Sequence, residues 1–222
     1  GSLSVFYSDM GNNKRSEQLI LDAINLIDPT DSRFRDAYVL TMNNYYLQIG
    51  KNGQYENAIK GYLELINFVD KNFGDNSVLK QELLNNLGFS YSALKDNGNA
   101  LKYYVESEKI SIKFNQNRNL AITRMNIGDI HFWSGDNKKA NSYYKLALEI
   151  IEYSSLQTKI FLYAGLCKTE AIMGNYDQAI IYGNQGLESA KKLHGINHPS
   201  NLTLLDSLAL ANSYKKNYND KF

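Results

Sequence analysis

Apolar and small residues return along this chain in one fixed frame. From Leu84 the frame runs through Leu87, Gly88 and Tyr91, crosses the polar stretch Asp96-Asn97-Gly98-Asn99 and reaches Ala100. It recurs as Met125, Ile127 and Gly128, then Gly135-Asp136-Asn137 and Ala140. Upstream it reads Met42-Asn43-Asn44-Tyr45, then Gly53-Gln54-Tyr55 and Ala58. Downstream it runs from Tyr163 through Gly174-Asn175-Tyr176-Asp177-Gln178 to Ala179. Apolar residues three and four apart place a stripe on one face of a helix. A polar, glycine-bearing break followed by a second stripe predicts two antiparallel helices joined by a short turn. Equivalent positions are 42 (Met42 to Leu84), 40 (to Arg124), 39 (to Tyr163) and 42 (to Leu205) residues apart. That interval is the signature of stacked helical repeats, and the fold class it predicts is an all-α solenoid of helix hairpins.

Gly88, Gly128, Cys167 and Ala209 fall where a bulky side chain would hold the partner helix away. Ala58, Ala100, Ala140 and Ala179 do the same on the second helices, and neighbouring tyrosines are expected to fill the space between units. A single hairpin cannot cover its own apolar face, so adjacent units must stack to make a continuous core. The predicted layout is one array over residues 1–222: a partial unit at 1–29, in which Leu3, Ser4, Tyr7 and Gly11 fit the frame, full units at about 36–71, 78–115, 118–153 and 157–192, and a partial unit at 200–222. Gly1-Ser2 reads as a cloning scar, and both ends fall inside units, as expected of a piece of a longer array. Pro29 and Pro199 sit between helical blocks, where a helix is stopped. The linkers are expected at Asp70 to Ser77 and at His194 to Pro199, and Asp96 to Asn99 is expected to form a turn.

Composition narrows the picture. Hydrophobic residues make up 43% and charged residues 21% of the chain, ordinary for a folded protein and too apolar for disorder. The net charge of +1 gives no overall field toward nucleic acid or anionic lipid. Lys191, Lys192, Lys215, Lys216 and Lys221 make the later half mildly basic, which reads as a solvated face. No apolar run approaches the roughly 20 residues that span a bilayer. Cys167 is the single cysteine, so no intrachain disulfide can form; the compartment stays open, with the cytoplasm favoured.

Catalytic signatures are missing. The chain contains no Gly-x-Ser-x-Gly, His-Glu-x-x-His, phosphate-binding loop or Gly-x-Gly-x-x-Gly. Cys167 holds a small packing position and reads as a buried thiol, and His131 replaces a frame tyrosine as a partly buried packing residue. His194 and His198 lie in a Gly-Pro linker without a cysteine partner, which argues against zinc. Asp96-Asn97-Gly98-Asn99 lacks the length and terminal glutamate of a calcium loop. The chain is expected to be no enzyme and to need no cofactor.

The recurring Leu-Gly pair, Tyr, Gly-x-Tyr turn, Ala, aromatic and Ala resemble the tetratricopeptide repeat (TPR), and the resemblance covers essentially the whole chain. These units of 39 to 42 residues are longer than the family's usual period of about 34 residues. They look like the long repeats of kinesin-light-chain-like proteins and of bacterial peptide-sensing regulators. The second unit departs from the pattern, with Tyr45-Tyr46 where the family has Leu-Gly. The resemblance implies a right-handed superhelical solenoid whose first helices line a concave groove. The groove-facing positions would be Asn43, Asn44 and Leu47; Asn85, Asn86 and Phe89; Met125, Asn126 and Asp129; and Ala164 and Lys168. One turn on stand Ser92, Ala93, Phe132 and Trp133.

Asn44, Asn86 and Asn126 share one frame position and are expected to form a ladder of amides able to pair with an extended peptide backbone. Lys168 is the only cation at these positions, which argues against a clamp for a C-terminal carboxylate. Trp133 and Phe132 are candidate anchors. The function expected is a protein- or peptide-binding module; the alternative is a peptide-sensing regulatory domain of a larger bacterial signalling protein. Partners would be a protein or extended peptide, with self-association through the array ends, and neither nucleic acid nor membrane.

Overall fold

The computed structural model describes residues 13–74, 77–195 and 197–219. Leu3, Ser4, Tyr7 and Gly11, the linker residues Asp75, Asn76 and Ile196, and Lys221 and Phe222 lie outside the described residues. Ten helices follow one another among the described residues: α1 Asn13–Asn25, α2 Arg35–Lys51, α3 Tyr55–Phe73, α4 Val78–Ala93, α5 Asn97–Lys113, α6 Asn117–Trp133, α7 Asn137–Leu148, α8 Leu156–Ile172, α9 Tyr176–Leu193 and α10 Leu202–Asn219. Short 3-10 turns cover Ile151–Tyr153 and Pro199–Asn201. The fold is all-α, built of antiparallel helix pairs, as the frame predicts. It divides into two compact units, the first ending at Phe114 and the second beginning at Asn115.

Local chemistry sets the helix ends. Asp96 and Asp136 cap α5 and α7, each accepting a hydrogen bond from the backbone N–H three residues on, both at 3.1 Å. Ser77 and Ser155 cap α4 and α8, their hydroxyls accepting from the backbone N–H of Leu79 and Thr158. The turns before α3, α7 and α9 are closed by Gly53, Gly135 and Gly174, at φ 83, 82 and 86°. Before α5 the left-handed position falls to Lys95 at φ 61°, a conformation that disfavours a side chain. Gly98, expected in that turn, therefore sits in the first turn of α5 instead. The linker expected from Asp70 begins only at Gly74, because α3 continues to Phe73.

In the first unit α2 packs on α3 and on α4, and α4 on α3 and α5. The core there is built from Val39, Tyr62, Leu65, Val69, Leu83, Leu84 and Leu87. In the second unit α6, α8 and α10 lie side by side as first helices, with α7 and α9 as their partners. Tyr144, Leu162 and Leu166 form one core cluster, and Ile160, Ala190 and Leu204 another.

The small residues do what their positions predict. A Cβ placed on Gly88 would stand 2.8 Å from the Tyr104 ring, and one on Gly128 would stand 2.6 Å from the Tyr144 ring. Tyr46 reverses the sizes: its ring lies where a Cβ on Gly61 would be, so the glycine moves to the second helix. Cys167 meets Gly183, leaving room that Leu208 of α10 fills. Ala209 departs from its expected packing role and is exposed. The buried stripe of α10 follows Leu204, Ser207 and Ala211, which turns Ala209 outward. Among the described residues no helix is long and apolar enough to cross a membrane.

Candidate binding site on the first-helix faces

In the second unit the first helices enclose a cavity of about 340 Å³. Met125, Asn126, Asp129, Phe132 and Trp133 of α6 form one wall. Phe161, Ala164, Gly165 and Lys168 of α8 form the next, and Thr203 and Ser207 of α10 complete it. Seven residues expected at the groove, Met125, Asn126, Asp129, Phe132, Trp133, Ala164 and Lys168, thus come together. Successive turns of α6 supply positions 125, 129 and 132, because side chains three and four apart share a helix face.

Trp133 is 61% exposed at the rim, whereas Phe132 is half-buried beneath the Lys168 ammonium, 4.7 Å from the ring centroid. The Tyr144 hydroxyl rises from α7 and donates to Asp129 Oδ1 at 2.6 Å. Burial pushes the Asp129 carboxyl up to about 6, against the lowering effect of the Tyr144 bond. Tyr144 itself is pushed above the ordinary phenol range, first by burial and then by the Asp129 charge.

In the first unit the same positions are wired inward. Asn43, on α2, is only 3% exposed; its Oδ1 accepts from Asn86 Nδ2 at 2.9 Å, and its Nδ2 donates to Glu82 Oε1 at 3.0 Å. Both ends of the Asn43 amide are committed, so it holds Asn86 in place and presents nothing to a ligand. Asn44, Leu47, Asn85 and Asn86 are half-buried, and Phe89 is 47% exposed. Asn86 therefore reaches the neighbouring first helix instead of standing as a separate rung of a ladder.

Residues 79–153 match the family model for the tetratricopeptide repeat. Solved structures add the fold of the remainder. The crystal structure of BtubC (BKLC) from P. vanneervenii superposes with a TM-score of 0.72 at 16% identity, over 93% of this chain and 85% of that one. A putative kinesin light chain with nearly identical TPR-like repeats, from Podosopora anserina, gives 0.65 at 15%, over 85% and 90%. A Rap protein complexed with competence and sporulation factor gives 0.71 at 14%, over 96% and 62%.

Residues 79–153 carry tetratricopeptide repeats, and the rest of the chain shares their fold. At these identities the structural likeness shows the fold alone, and a search of the curated proteins finds no match in sequence. The TPR fold is generally a non-catalytic scaffold that supports protein interaction.

Within these repeats, sequence reasoning missed Tyr144, Phe161, Gly165, Thr203 and Ser207 at the cavity. A signal was present for Gly165, which takes the frame position held by asparagine in the three preceding units. A Cβ there would stand 2.9 Å from Tyr144 Cζ, so the glycine leaves room for the hydroxyl that reaches Asp129. Cys167 is fully buried and burial pushes its thiol up to about 11, which suits a packing residue. His131 stacks on Tyr143 with ring centroids 5.6 Å apart. The His194 and His198 rings lie tilted against each other with centroids 4.0 Å apart, with His194 Nε2 bonded to Asn201, and no metal-binding group of three ligands occurs among the described residues.

Proposed function

We propose that the chain is a protein- or peptide-binding module whose ligand lies on the first-helix faces, with the α6–α8–α10 cavity as its anchor pocket. The observation that carries this reading is the cavity itself. Aromatic side chains stand partly exposed around a carboxylate and an ammonium, the composition from which interface hot spots are made. Trp133, Phe132 and Phe161 supply apolar area, and Asn126, Asp129 and Lys168 supply direction. The first unit, taken by itself, presents Asn44, Asn85, Asn86 and Phe89 on its first helices, with Asn43 positioning Asn86. An extended peptide would expose one polar backbone group after another to these amides, which fix its path without reading its side chains.

The test is selection of binders from a displayed library of random peptides, followed by hydrogen-exchange mapping. Protection on α6, α8 and α10, lost in Trp133→Ala, is expected. Protection confined to the second helices α7 and α9 would overturn the reading.

A second reading, a peptide-sensing regulatory domain of a larger signalling protein, is favoured by the likeness to the Rap protein, which was solved complexed with competence and sporulation factor. The full-length gene product decides this: an attached output domain whose activity changes with peptide supports it, and the lack of such a domain removes it.

A further inference from the structure

Asp129 is the unusual group in the cavity. It is a half-buried carboxylate whose only bond in the structure comes from the neutral Tyr144 hydroxyl, and no ion pair reaches it among the described residues. Lys168 lines the same cavity, yet its ammonium rests on the Phe132 ring and pairs with no carboxylate among the described residues. A carboxylate taken from water without a cation is costly unless something supplies one. The walls around it can hold a cation well, since an ammonium already lies over Phe132 and the Trp133 and Phe161 faces stand exposed beside it.

We propose that the cavity receives a basic side chain, lysine or arginine, adjoining an apolar residue of an extended peptide segment in a partner protein. This inference rests on the binding-module reading above. The partner's cation pairs with Asp129 on the side away from Tyr144, and its alkyl stem lies between Trp133 and Phe161. The neighbouring apolar side chain covers Met125 and Ala164. Lys168 then disfavours a second cation and orients the segment.

The experiment uses nonapeptides with acetylated and amidated ends, so that the central side chain carries the only charge. Lysine, arginine, glutamine, norleucine and glutamate are placed there in turn, beside leucine. Trp133 is the only tryptophan in the chain, so its fluorescence reports occupancy of this cavity directly. Lysine- and arginine-centred peptides should bind at least tenfold more tightly than glutamine- or glutamate-centred ones. Asp129→Asn should remove that preference. Tyr144→Phe keeps the carboxylate and should keep the preference, and Lys168→Ala should leave basic-peptide affinity equal or higher.

A best response from glutamate, dependent on Lys168, would overturn the inference, as would a basic preference that survives Asp129→Asn. Peptides that change Trp133 fluorescence irrespective of their central charge would sink the inference and leave the binding-module reading standing. If no peptide of any charge changes Trp133 fluorescence, the cavity is no peptide site and both fall.

Discussion

The two units apply one repeat frame to opposite ends. In the first, the amides on the first helices turn inward: Asn86 bonds to Asn43, and Asn43 bonds to Glu82. In the second, the frame position of Asn43 holds Met125 and Ala164, that of Asn86 holds Asn126 and Gly165, and a cavity opens with Asp129 in its wall. The frame keeps the helices packed in both units. The residues it leaves free decide whether the exposed face closes on itself or stays open.

The largest effect should come from breaking the size pairing that separates α2 from the later first helices. Gly61→Leu would drive a side chain into the Tyr46 ring, and overpacking of that kind costs about 1–3 kcal/mol or more. The double variant Tyr46→Gly with Gly61→Leu should recover part of the loss, and denaturation of the four-member cycle measures it. An additive result would mean that the two positions do not compensate each other.

Next comes the buried Glu170, 1% exposed, which belongs only to the second unit. Lys145 Nζ lies 2.8 Å from it, and Asn175 and Asn141 donate at 2.7 and 3.2 Å. Burial pushes this carboxyl up, and the bonds from Lys145, Asn175 and Asn141 more than offset it, so it ends below its ordinary range. Lys145→Ala strands the charge and should cost about 1–3 kcal/mol. A group with a lowered folded pKa contributes stability above its unfolded pKa, roughly 4.3 for glutamate, that is lost as pH falls through the folded value. The penalty of Lys145→Ala should therefore shrink in acid.

Asparagines separate the units more finely. Asn43→Ala removes two side-chain bonds and leaves Glu82 and Asn86 unpaired there, a loss of about 1–2 kcal/mol. Asn44→Ala, one residue on and half-buried, should stay within about 0.5 kcal/mol. Equal losses at both sites in urea unfolding would contradict the inward wiring.

Asp129 gives a change of opposite sign. Its folded pKa, about 6, lies above the unfolded value of roughly 3.9. Stability from this group is complete below about pH 4 and is lost as pH rises through about 6. Tyr144 from α7 and Lys168 from α8 are the other titratable side chains that line the cavity. Asp129→Asn should be more stable than the parent at pH 7.5 and nearly equal to it at pH 4. A variant that loses stability at pH 7.5 would show that the carboxylate is already paired.

The sequence alone determined the fold and its period. Helix faces, turns and the small packing positions Gly88, Gly128 and Cys167 are set by neighbours three, four and seventeen residues away, and such local rules leave a readable period. The resemblance to the TPR family named Asn126, Asp129, Trp133 and Lys168, because in that family the first helices line a groove and the frame fixes which positions flank the Leu-Gly pair. The tertiary structure decided the rest. Gly61 as counterweight to Tyr46, the commitment of Asn43 to Glu82 and Asn86, and the reach of the Tyr144 hydroxyl to Asp129 each join residues on different helices. Such pairs depend on side-chain length and rotamer across a packed interface, and no single period in the sequence records them.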